Sequence, residues 1–170
     1  MNTLITLLEK PGLWAGNISA WLLFIMMLFS CVIVVLRYGF GIGFIALQEA
    51  VNYLHASAFL LGTALTLQQD EHVRVDILYQ RFNVQQKAWV DALGVIIFLL
   101  PFAAFLLFCS WSFFFNAWQI QESSPEPGGL AYVYIYKALI PVATLLLILQ
   151  ALAVLLKAAS SLVMPAKLES

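Results

Sequence analysis

The sequence predicts an all-α integral membrane protein with four transmembrane helices and a short interfacial cytoplasmic helix between the second and third. Three observations carry that prediction. Of the 170 residues, 63% are hydrophobic and 10% charged, with a mean hydropathy of +0.94, whereas a soluble domain carries about 25% charged residues. Four stretches, 11–36, 50–69, 92–121 and 138–156, contain no Asp, Glu, Lys or Arg, and each approaches the ~20 residues that cross hydrocarbon as a helix. The cations are unevenly divided between the two sides. Lys10, Arg74, Arg81, Lys87, Lys157 and Lys167 fall on one side, against Arg37 and Lys137 on the other. The positive-inside rule then puts both termini in the cytoplasm. Backbone groups in lipid need internal partners, and the alternating strands of a barrel are missing, so the spans are helices.

Trimmed at their aromatic and polar ends, the spans are about 13–36, 47–69, 87–116 and 131–157, within one domain covering 1–170. The first run lacks a basic n-region and a following A-x-A site, so it reads as a permanent span rather than a cleaved signal. Residues 38–48 are too few to cross and include three glycines, which suits an outer connection. The second span opens at Gln48-Glu49. After it comes DEHVRVDILYQRF, in which Val75, Leu78, Tyr79 and Phe82 share one helical face. That face suits a helix lying in the inner interface, with a solvated loop as the plainer reading. His72, Arg74, Asp76 and Arg81 are its candidate contacts to lipid headgroups or to a partner.

Asn83 with Gln86 three residues on forms a capping-box pattern at the start of the third span. At 1.5 Å per residue this span would reach ~45 Å, so it must tilt, bend or protrude, and Pro101 offers a kink point. The connection NAWQIQESSPEPGGLAYVY contains Pro125, Pro127, Gly128 and Gly129, which forbid a continuous helix. Its charges, Glu122 and Glu126, are acidic. The fourth span carries Pro141 near its outer end. Trp14, Tyr79 and Trp89 fit the inner interface; Tyr38, Trp118, Tyr132, Tyr134 and Tyr136 fit the outer one.

Few residues could carry chemistry. Cys31 and Cys109 stand alone in apolar runs and read as free thiols. His55 is the one histidine of the second span, between the charges that bound it, and it reads as a hydrogen-bonded histidine packed between helices. Haem ligation would want a second inward histidine, which the spans lack. Glu49 and Asp91 lie near helix ends, and Glu49 suits the positive end of the second helix. Gly62, Thr63, Ala64 and Thr66 suit close helix packing. There is no basic stripe for nucleic acid. Walker, Rossmann, HExxH and nucleophile-elbow patterns do not occur, nor do paired broken helices.

The run from Arg37-Tyr38 through Gln48-Glu49 to His72-Val73-Arg74-Val75-Asp76 resembles the small membrane subunit of a TRAP (tripartite ATP-independent periplasmic) transporter, the DctQ family. Pro101, Gln121-Glu122-Ser123, Gly128-Gly129, Lys137 and Pro141 continue the likeness across about residues 14–157. The resemblance implies a non-enzymatic subunit in a bacterial or archaeal inner membrane, paired with a large elevator-type subunit that holds the sodium and substrate sites. No cofactor is expected on this chain. A periplasmic binding protein would deliver an organic acid to the outer face, where Arg37, Glu49, Glu122, Glu126 and Lys137 become candidate docking residues. Two other classes compete. A haem or quinone redox subunit would need paired membrane histidines or cysteines, and a stand-alone exporter would need an acid near the bilayer centre.

Overall fold

The computed structural model describes residues 2–69, 79 and 82–163. These form four long helices: α1 (Asn2–Gly39), α2 (Ile45–Gln68), α3 (Val84–Gln119) and α4 (Val133–Val163). All four are long and apolar enough to span a membrane, as the four-span reading expects. Among the described residues there is no strand. The interfacial helix expected over 70–82 falls almost wholly outside the described residues.

Helix α4 is the hub of the bundle. It packs on α1, α2 and α3, while α1 pairs most extensively with α2. Accordingly 33% of the most apolar window of α4 is buried, against 6% for α1. The packing surfaces are made of small side chains: Ala143, Ala151, Ala153 and Ala158 are all buried on α4. Lipid removes the hydrophobic drive between helices, so close backbone approach and dispersion must hold them together.

The α1–α2 contact shows this most clearly. Gly12, Ala15, Gly16 and Ser19 form one buried stripe at helical spacing. A Cβ on Gly16 would fall inside the Leu65 side chain, so only glycine lets the two helices meet there. Ala64 and Gly62 face this stripe from α2. Thr63 and Thr66, by contrast, donate to carbonyls of their own helix, as do Ser19, Ser30, Ser57 and Thr144. Each hydroxyl is thereby satisfied without a partner helix. Gln150 is 1% exposed, and its carboxamide lies near Gly12 beside that of Gln68.

Two helix starts and bends bear on the expected boundaries. Helix α1 begins at Asn2 rather than 13, running through Pro11 and burying Ile5. Glu9 on this extension pairs with Lys157 of α4, which ties the extra turns to the bundle. In α3, the turn Val95–Leu99 is a π-helix just before Pro101. Pro101 cannot donate to the carbonyl of Ile97, and a widened turn accommodates both the lost bond and the ring.

Candidate functional site

The end of the bundle that carries the α1–α2 and α3–α4 connections is the most structured polar region described. Helix α3 stops in a Schellman motif: the Glu122 N–H donates to Ala117 O and the Gln121 N–H to Trp118 O. Gln121 takes the left-handed position at φ 48°, where glycine is usual. The side chain of Gln121 also donates to Trp118 O at 2.9 Å.

The chain then folds into a closed loop. The Ser124 N–H donates to Leu130 O at 2.9 Å, and the Gly129 N–H to Glu126 O at 3.0 Å. Gly128 sits at φ +81°, a conformation side chains rarely adopt. Glu49 reaches across from α2 and locks this loop. Its carboxylate accepts the Ser124 hydroxyl on one oxygen and the Leu130 N–H, at 2.7 Å, on the other. Ser124 in turn accepts the Glu126 N–H at 3.1 Å. A Cβ on Gly129 would lie 2.8 Å from the second Glu49 oxygen, so the glycine permits the close approach. Glu49 therefore does not serve the helix N-terminus as expected. Helix α2 starts at Ile45 with no acidic residue in its first turn, which leaves Glu49 on the flank that faces the loop.

Beside this clamp, Lys137 of α4 pairs with Glu122 at 2.5 Å and lies 4.1 Å from the centroid of the Phe113 ring. Tyr53 of α2 stacks on Tyr136 of α4 at 4.5 Å. Glu49, Glu122 and Lys137 are thus partly buried and engaged within the chain. Glu126 on the loop and Arg37 in the last turn of α1 are exposed. Arg37 has no ion pair with any described residue.

His72, Arg74, Asp76 and Arg81 lie outside the described residues. At the opposite end of the bundle the Tyr79 hydroxyl donates to Asp91 at 2.8 Å, and Lys87 lies 5.3 Å from the Tyr79 ring centroid. The Asn83–Gln86 capping box is formed in both directions. Gln68, Lys87, Asp91, Lys157 and Ser161 line a cavity of about 250 Å³ there. Among the described residues no group of three His, Cys, Asp or Glu could hold a metal. Cys31 and Cys109 are free and exposed.

His55 departs from expectation. It is exposed on the outside of the bundle rather than packed between helices. The phase of α2 is set by Glu49, held at the loop, by Tyr53, stacked on Tyr136 of α4, and by Ala58 and Ala64, which are buried. Position 55 then points outward. The roles of Ser124, Leu130 and Gly129 escape a reading by residue type, because two of the three contribute backbone. The available signal was an acid one turn inside an apolar helix, paired with a Pro- and Gly-rich loop elsewhere.

A family model described as "Tripartite ATP-independent periplasmic transporters, DctQ component" matches residues 26–161. No curated protein and no solved structure matches the chain.

Proposed function

The chain belongs to the DctQ component family of the tripartite ATP-independent periplasmic transporters, and from that premise we propose that it is the fixed frame and part of the docking surface of a sodium-driven importer. The family makes it a small transporter subunit rather than a member of an enzyme family. In the proposed complex, a large multi-span subunit carries sodium and substrate, and a periplasmic protein delivers an organic acid. The loop end then faces the periplasm of a bacterial or archaeal inner membrane, with both termini inside, in keeping with the cation count.

The observation that carries this reading is the Glu49 clamp. A loop left free would lose entropy whenever a partner ordered it. Here the loop is held in one shape by Glu49 in α2 and by the Lys137–Glu122 pair. Such a surface is pre-organised for repeated brief encounters with a soluble carrier. Its outward charge is Glu126, since Glu122 is engaged by Lys137. Exposed charges steer encounter and register more than they add affinity.

The test is uptake into proteoliposomes holding both membrane subunits, titrated with the binding protein. Glu126→Lys should raise the binding-protein concentration needed for half-maximal uptake and leave the maximal rate intact. The change should shrink in high salt, where the screening length falls to about 3 Å at 1 M. An unaltered titration would leave this loop as a mere connection.

A further inference from the structure

Between Ile45 and Gln68, α2 exposes five residues: Ile45, Gln48, Asn52, His55 and Phe59. Their spacing alternates three and four, and at 100° per residue they fall within an arc of about 80°. The other residues of the helix are buried or partly buried. Three of the five are polar. His55 lies ten residues into a helix of 24, about 15 Å along a length of about 36 Å. That is close to mid-membrane and out of reach of either interface. Gln48, Asn52 and His55 have no side-chain hydrogen bond with the described residues.

A face turned away from its own bundle meets either lipid or another protein. Hydrocarbon offers amides and imidazoles no hydrogen bond, so such groups are strongly disfavoured against lipid. The outward face of α3 makes the contrast: Phe98, Phe102, Phe105 and Phe108 are all exposed there and need no polar partner.

We infer that the Ile45–Phe59 stripe of α2 is the seam on which a transmembrane helix of the large partner subunit docks, meeting Asn52 and His55 with neutral hydrogen-bonding groups. This rests on the function proposed above, in which a large membrane subunit stands beside this chain. The heptad-like spacing fits one helix lying lengthwise. Both carboxamides and the imidazole offer a donor and an acceptor, so Ser, Thr, Asn or Gln side chains or a freed carbonyl suit them. A buried charge opposite them would have no counter-charge on this face. A second copy of the chain is the competing occupant.

Photo-crosslinking separates the occupants. The reactive benzophenone residue p-benzoylphenylalanine is placed at Asn52, at Phe59 and, as a control, at Phe105. The full chain is then co-expressed with the large subunit and irradiated in membranes. Positions 52 and 59 should give an adduct of the summed mass of the two subunits, and 105 should not. A dimer of this chain, or no protein adduct from 52 and 59, overturns the seam, provided the parent chain still retains the large subunit on purification. A parent that retains no large subunit at all defeats the family role and the seam together. As a second measure, Asn52→Leu with His55→Leu should leave the melting temperature of the isolated chain unchanged or higher. Retention of the large subunit should fall about tenfold, at roughly threefold per interhelical hydrogen bond. Full retention by that double variant also overturns the inference.

Discussion

Two positions on one helix, six residues apart, meet opposite fates. Glu49 is charged, yet its carboxylate is fully engaged by the loop of its own chain. His55 is less polar, yet it is turned outward with no described partner. The difference is one of phase. At 100° per residue the 600° from 49 to 55 leaves the two side chains 120° apart around the helix, on different flanks. Polar groups inside a span are thus of two kinds: those that complete the chain's own fold, and those turned away from it. Residue type does not distinguish them, but the direction each faces does.

Changes on the self-satisfied side should act on the chain itself. The largest effect is expected from Gly16→Leu, which drives a side chain into Leu65 and forces α1 off α2. Overpacking of this kind costs about 1–3 kcal/mol or more, so the purified chain should melt earlier or fail to accumulate. Next is Glu49→Ala, which strips the acceptor from the Ser124 hydroxyl and the Leu130 N–H. Limited proteolysis should then cut within 120–132, where the parent resists. Gly129→Ala should give the same cut by crowding the Glu49 oxygen.

Smaller effects sharpen the same contrast. Lys137→Met removes a partly exposed ion pair and a ring contact, and should cost no more than about 1 kcal/mol in thermal unfolding. Gln121→Gly should stabilise slightly, because φ 48° strains an L-residue by up to about 1–2 kcal/mol. The lost side-chain bond to Trp118 O offsets part of that gain. A melting temperature that falls in Gln121→Gly would show that this bond outweighs the backbone strain.

The fold was largely legible in the sequence, and the site only in part. Charge-free runs locate four spans because a helix crossing lipid must be long and apolar, and Asn83 with Gln86 announces a helix start because its two bonds are local. The early start of α1 was hidden because Pro11 and charged Glu9 look like a boundary. Only the distant Lys157 shows why those turns hold. The π turn at Val95–Leu99 follows from Pro101, but a kink was equally consistent with that residue. At the loop end, Glu122, Glu126 and Lys137 were visible as charges. Which of them spends its charge inside the chain depended on contacts across 15 to 81 residues of sequence. Local pattern carries no record of such contacts.

The most direct test sets the two sides of α2 against each other in one assay. Proteoliposome uptake is titrated with the binding protein for Glu49→Ala and for the pair Asn52→Leu with His55→Leu. Disordering the clamped loop should weaken only the encounter, so uptake by Glu49→Ala should recover its maximal rate at high binding-protein concentration. Loosening the seam should remove the frame itself, so uptake by the α2 pair should stay low at every concentration. Full recovery by the α2 pair, or a loss in Glu49→Ala that no concentration repairs, would contradict the division of α2 into a docking flank and an assembly flank.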